Sequence, residues 1–234
     1  MGLKKTADNR SDVFLARAVQ TQLGGNKMKK SRYTRVLTLV LALAVVFVAV
    51  ASAAPSPRKM VLARLDVSSA FKRSDAKRVT NADVVAGGGA TAAQLTSWGR
   101  LDGYKVTYEI KTNRAVANKL TGPIYIVSGA NTYSAAAGAH GAWLSQLVST
   151  KKISGVHSAK ARRVGSESKL FTYKESAKVQ GVTVTYIIFI FTWRSGSNTA
   201  SLMVEGIKNR IKQTAVTALA KKQQSRIKAA YSAG

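Results

Sequence analysis

The sequence predicts an α+β domain: a mainly antiparallel sheet with two principal helices packed on it, preceded by an N-terminal signal segment. Three observations predict this. An apolar run at 36–50 follows a basic lead-in and precedes small residues. Beyond it, short stretches alternate apolar and polar residues with period two, the pattern of half-buried strands. Two further stretches, 135–148 and 212–230, repeat apolar residues at helical spacing.

The apolar run carries the features of an export signal. Such signals join a positive n-region, an apolar core of about 7–15 residues and an A-x-A cleavage site. Lys29, Lys30, Arg32 and Arg35 supply the charge, and Ala51-Ser52-Ala53 the small residues, so cleavage is expected between Ala53 and Ala54. The alternative is a retained membrane anchor, because residues 36–54 approach the roughly 20 needed to span a bilayer. The chain has no cysteine. That excludes a lipid anchor at the cleavage point, disulfides, a thiolate nucleophile and a cysteine metal site. Met28 opens a complete signal start, so residues 1–27 read as a disordered extension or a mis-assigned start.

Of the 234 residues, 181 follow Ala53, the size of one domain. The whole chain carries 37 Lys and Arg against 10 Asp and Glu, a net +27. Nine of those cations and two acids (Asp8, Asp12) precede Ala54, leaving 28 against eight, a net +20. Such a charge attracts polyanions and anionic surfaces and says little about fold. The densest places are Lys72-Arg73, Lys77-Arg78, Lys160 with Arg162-Arg163, and the last helix. None matches a nucleic-acid-binding motif.

Residues 54–97 are expected as a linker and an irregular or helical lead-in, and 98–234 as the α+β domain. Within the lead-in, 54–59 read as linker, and 60–78 as either a strand and turn or a packed irregular segment. Asn81 to Asp83 opens a short helix that Gly87-Gly88-Gly89 ends. The triple glycine lacks the lysine and the preceding strand of a phosphate loop. A second short helix or turn covers 91–97. Leu101-Asp102-Gly103 reads as a turn. Residues 104–110 then alternate, with Tyr104, Val106, Tyr108 and Ile110 on one face. A turn about Asn113, a looser strand at 115–120 and a strand at 124–129 follow.

Ser134 is placed to cap the helix over 135–148, which sets Ala136, Ala139, His140, Trp143, Leu144 and Leu147 on one face. Lys151 and Lys152 suit its negative end. Residues 153–163 read as a basic link, Gly165 to Ser168 as a turn, 169–173 as a short strand and 177–181 as a hairpin turn. Residues 182–193 form the most apolar run after the signal. They alternate at first and are apolar on both faces from Ile187 to Phe191, as in a partly double-covered strand. Arg194 to Asn198 turns into a partner strand at 199–205. The last helix aligns Val216, Leu219, Ala220, Gln223, Ile227, Ala230 and Tyr231 in one stripe.

From Val164 onward the chain resembles a group of exported bacterial proteins. The matching residues are Val164-Gly165-Ser166-Glu167-Ser168, Phe191-Thr192-Trp193-Arg194-Ser195-Gly196, and the helix from Ala218 through Gln223, Arg226 and Ile227. The layout is similar to extracellular sensor domains of bacterial receptor kinases and to PsbP-like α+β domains. The resemblance implies a fold. It carries over no functional residue.

No catalytic, cofactor-binding or metal-ligating residue is expected. His140 and His157 are the two histidines, 17 positions apart with no carboxylate near either in sequence, a poor spacing for metal or for serine chemistry. A pocket, where present, is expected between the sheet and the helix bearing Trp143, lined by Tyr104, Tyr108, Trp143, Trp193 and His140. The leading functional expectation is an exported, cell-envelope, non-enzymatic domain with a ligand-binding, sensing or accessory role. The alternatives are a basic surface protein that binds anionic polymers or anionic membrane, and a hydrolase.

Overall fold

The computed structural model describes residues 54–110, 121–179 and 181–232. The signal segment with Ala53, the turn about Asn113 and the strand expected at 115–120 lie outside the described residues. In chain order the elements are α1 (Pro57–Met60), β1 (Lys72–Arg78), α2 (Asn81–Ala86), α3 (Ala92–Ser97), β2 (Arg100–Glu109), β3 (Pro123–Tyr133) and α4 (Ala136–Lys151). There follow β4 (His157–Ala159), β5 (Glu167–Val179), β6 (Val182–Ser195), β7 (Asn198–Ile207) and α5 (Gln213–Ser232). The strands form one sheet in the order β1-β2-β3-β7-β6-β5-β4, antiparallel throughout. The α+β architecture with two principal helices is therefore as expected.

Register sorts the side chains onto two faces, because directly opposed residues share a face and successive ones alternate. Tyr108, Ile126, Val204 and Phe189 form one cross-strand row, and Val106, Ser128, Leu202, Phe191 and Leu170 the next. These belong to the main core. Helix α5 covers this face with Val216, Leu219, Ala220 and Ile227, as its stripe predicts. Tyr231, placed on the stripe by spacing, is instead 46% exposed; its hydroxyl pairs with Ser197 and Asn198 at the β6–β7 turn.

Residues 57–71 complete that core. Pro57 and Met60 of α1 are buried, so the chain expected as linker up to residue 59 already enters the fold. Val61, Leu62, Val67 and Phe71 follow it into the core, which settles 60–71 as packed irregular chain ahead of β1. Hydrogen bonds, two of them buried, pin this strap. Leu62 N–H donates to Ser128 Oγ at 3.0 Å, the Tyr108 hydroxyl donates to Leu62 O at 3.0 Å, and Arg226 Nε of α5 donates to Val61 O at 2.7 Å.

The other face receives α4. Gly138 and Gly141 set its approach, because a Cβ at either would press on Trp98: 1.8 Å from its carbonyl oxygen at Gly138 and 2.9 Å from Nε1 at Gly141. Ala139 and Ala142 then pack against Tyr133, with Trp98 alongside. This seating rotates the helix relative to its apolar pattern. Trp143 and Thr150 go in, and Leu144 is left 44% exposed. Ser134 does not cap the helix. The N-cap is Ala135, without a side-chain bond, and Ser134 N–H instead donates to Gly99 O. The turn expected at Leu101-Asp102-Gly103 is strand, with a register shift between Arg100 and Asp102. The hairpin turn expected at 177–181 is shorter, because β5 runs on to Val179.

Candidate functional site

The sheet separates the five residues expected to share a pocket. Tyr104, Tyr108 and Trp193 lie on the α5 face, while Trp143 and His140 sit on α4 across the sheet. Trp193 is fully buried and donates its Nε1–H to Gln224 Oε1 at 2.9 Å. Tyr108 is committed to Leu62, and Tyr104 is half-buried against the main core. Trp143 is buried, and its Nε1 has no partner among the described residues.

His140 meets a carboxylate that spacing did not reveal. Its Nδ1 lies 3.0 Å from Glu167 Oε2 at the start of β5, and Arg194 Nε of β6 donates to the same oxygen at 2.5 Å. The Arg194 bond holds the Glu167 carboxyl below its usual range against the opposing effect of desolvation, with a lesser contribution from the His140 bond. In a hydrolytic triad a buried carboxylate orients the histidine. Here the acid is shared with a guanidinium and partly open to water, and the cluster ties α4 to β5 and β6. Glu167 lies 27 residues from His140 in sequence, and only the fold joins them.

The residues around Glu167 that carry the sequence resemblance are also fixed by contacts. Val164 is in the core, and its N–H donates to Ser168 Oγ at 3.1 Å. Gly165 takes φ +66° and lies so close to β6 that a Cβ would stand 2.3 Å from Arg194 O. Both the N–H and the hydroxyl of Ser166 donate to that same oxygen.

Charge is the feature the fold leaves on the surface. The acids after Ala53 fall into two groups, of which the first is bonded as follows. Asp66 accepts from Ala63 N–H and pairs with Arg226, Asp75 pairs with Lys105, and Asp102 pairs with Arg78. Asp83 closes the cap of α2 on Thr80, and Glu167 is held as described. The other three gather on the α4 face of the sheet. Glu109 and Glu205 flank Tyr125 across β2, β3 and β7, and Glu175 stands opposite Tyr186. Burial, then Glu175 and Glu205, pushes the neighbouring Tyr173 hydroxyl up to about 12. Lys72 stands opposite Glu109 on that same face, and most of the other exposed cations lie elsewhere. Lys72, Arg73 and Lys77 on the edge strand β1, Lys160, Arg162 and Arg163 after β4, and Lys221 and Lys228 on α5 are all exposed.

Among the described residues no group of three or more His, Asp or Glu side chains is placed to hold a metal ion, and no helix is long and apolar enough to cross a membrane. No family model matches the chain, and no curated protein matches it in sequence. A solved structure similar to it is the extracellular domain of PknH from Mycobacterium tuberculosis. Identity is 9% and the TM-score 0.44, over 75% of this chain and 98% of that one. At that identity and score the likeness is one of layout.

Proposed function

We propose that the chain is an exported, non-enzymatic domain of the cell envelope that binds anionic surfaces or polymers. The observation that carries this reading is the internal use of the acids. Acids are taken up in bonds within the fold or gathered on the α4 face, so Lys160, Arg162 and Arg163 after β4 and Lys221 and Lys228 on α5 present cations with little opposing charge. Export is supported by the signal-like segment before Ala54. A binding role rather than hydrolysis is supported by the sharing of Glu167 between His140 and Arg194.

The test is salt dependence. Binding to vesicles containing phosphatidylglycerol, and to a soluble polyphosphate, is measured from about 50 to 200 mM salt. Counterion release makes affinity fall steeply over that interval when several phosphates are neutralised, by about a thousandfold or more at six contacts. Affinity that is absent, or flat with salt, overturns the reading.

A further inference from the structure

The ladder bonds leave part of one sheet edge open. Lys208 N–H donates to Thr185 O, so these opposed residues of β6 and the end of β7 form a hydrogen-bonded pair. In an antiparallel ladder such pairs alternate with non-bonded ones. Odd-numbered residues of β6 therefore turn their backbone groups to β7, and even-numbered ones to β5. By the register, odd-numbered residues of β5 face β6 and even-numbered ones face outward. Strand β4 takes up only Leu170 and Thr172 of these, opposite Ala159 and His157. Just before β4 the chain turns away: Val156 N–H donates to Ile153 O, and Gly155 takes φ +75° in open space. The backbone N–H and C=O groups of Lys174, Ser176 and Lys178 thus meet no strand among the described residues.

A bare run of ladder groups can pair with a further strand. Strand β5 keeps an unbroken register with β6 from Glu167 to Val179, so its free groups stay in line. The opposite edge, β1, has a register shift between Arg73 and Asp75, an irregularity that hinders pairing. Side chains then select the occupant. Lys174, Ser176 and Lys178 are exposed and share the α5 face, whereas Glu175 and Ala177 lie on the other. A second copy added antiparallel about Ser176 would set Lys174 against Lys178, and one centred on Glu175 would oppose two glutamates. Like charges directly opposite destabilise a ladder, and opposite charges stabilise it. A strand with acids opposite Lys174 and Lys178 gains what a copy loses. On the other face Ala177 and Val184 form a half-buried row that a β-branched side chain would extend.

We propose that the outer edge of β5 over 174–178 receives an extended acidic peptide of another protein. It adds antiparallel, in line with β4, with carboxylates opposite Lys174 and Lys178. This partner is distinct from the surfaces and polymers above and is tested separately. The full chain is titrated with the blocked, fluorescent peptide Glu-Val-Thr-Lys-Glu, read by anisotropy; its residues oppose Lys178 through Lys174 in turn. Ser176→Pro removes an outward N–H and spares the ladder to β6, the one setting in which a strand tolerates proline. Ser176→Ala is its reference, because the Ser176 hydroxyl also pairs with Thr185 Oγ1 at 3.0 Å.

Binding is expected to weaken by about tenfold or more in Ser176→Pro and by about twofold or less in Ser176→Ala. Lys174→Glu/Lys178→Glu should shift preference about tenfold toward Lys-Val-Thr-Lys-Lys. Equal binding by wild type and Ser176→Pro overturns strand addition, since diffuse attraction of an acidic peptide to a basic protein needs no particular N–H. Equal loss in Ser176→Pro and Ser176→Ala, or no binding to wild type, overturns it as well. An unchanged preference in the glutamate pair overturns the selection of acids. Should Ser176→Pro fail to fold, the peptide N-methylated at its threonine removes the matching bond from the other side. It should bind wild type about tenfold more weakly, and equal binding of the two peptides overturns the proposal.

Discussion

Replacing Gly138 by alanine sets two opposed effects against each other. In an exposed helix the exchange stabilises by about 1 kcal/mol, because glycine gives up more backbone freedom on folding. At position 138 the new Cβ would stand 1.8 Å from the Trp98 carbonyl oxygen and 2.7 Å from its carbon, whereas Cβ contacts under 3.0 Å essentially never occur. The obstruction is backbone, so it cannot swing aside as the tip of a side chain does. Helix and turn must separate by about 1.2 Å to restore contact distance. That gap loosens Ala139 and Ala142 from Tyr133 and Trp98.

Overpacking of this kind costs about 1–3 kcal/mol, and the opened cluster loses dispersion contacts as well. Against a helix gain of about 1 kcal/mol, the expected net is a destabilisation of about 2 kcal/mol, which lowers Tm by roughly 4–8 °C for a domain of this size. Thermal unfolding followed by circular dichroism measures it. Gly141→Ala is the internal reference. Its Cβ would meet side-chain atoms of Trp98, Nε1 at 2.9 Å and Cδ1 at 3.1 Å, which can turn away. It should stay within about 1 kcal/mol of wild type. A higher Tm for Gly138→Ala than for wild type would refute the seating of α4 on Trp98.

Tyr108→Phe removes the hydroxyl that donates to the buried Leu62 carbonyl at 3.0 Å. The expected cost is about 1–3 kcal/mol, seen in urea as a lower midpoint with an unchanged slope, and an unchanged midpoint contradicts the pinning of the strap. Glu167→Gln tests the ionic tie through pH. The Glu167 pKa is lowered in the folded state, so its contribution is present above the ordinary glutamate value and is lost as pH falls through the lowered one. Wild type should therefore lose more Tm than the variant between about pH 5 and pH 3, and parallel curves for the two proteins would exclude the tie.

The parts read correctly from sequence are those with a period. The alternation of Tyr104, Val106, Tyr108 and Ile110 marked β2, and the stripe from Val216 to Ala230 marked the buried side of α5. The strap escaped because Met60, Val61, Leu62, Val67 and Phe71 follow neither a two-residue nor a helical repeat. They are placed by burial in the main core and by the tertiary hydrogen bonds of Val61 and Leu62. The buried side of α4 was misjudged at Leu144 because Gly138 and Gly141, not its larger apolar residues, decide how the helix lies. The expected pocket failed to assemble for a simpler reason. Trp193 and Trp143 approach the sheet from opposite faces, and strand order does not show in periodicity. The tie of His140 to Glu167 and Arg194 depends on α4 crossing to β5 and β6, which no local spacing encodes.

The strap has a kinetic consequence. It is the first described part of the chain, and some of its partners are in the last element. Arg226 reaches Val61 across 165 residues, and Lys222 reaches Asp66 across 156. Closing so long a loop costs entropy before any contact repays it, and contacts of large separation slow folding. An emerging chain cannot complete its core around residues 57–71 until 213–232 have also emerged. Until then Met60, Leu62 and Phe71 lack their full cover, and the core stays incomplete. Topology thus delays collapse until the final helix arrives.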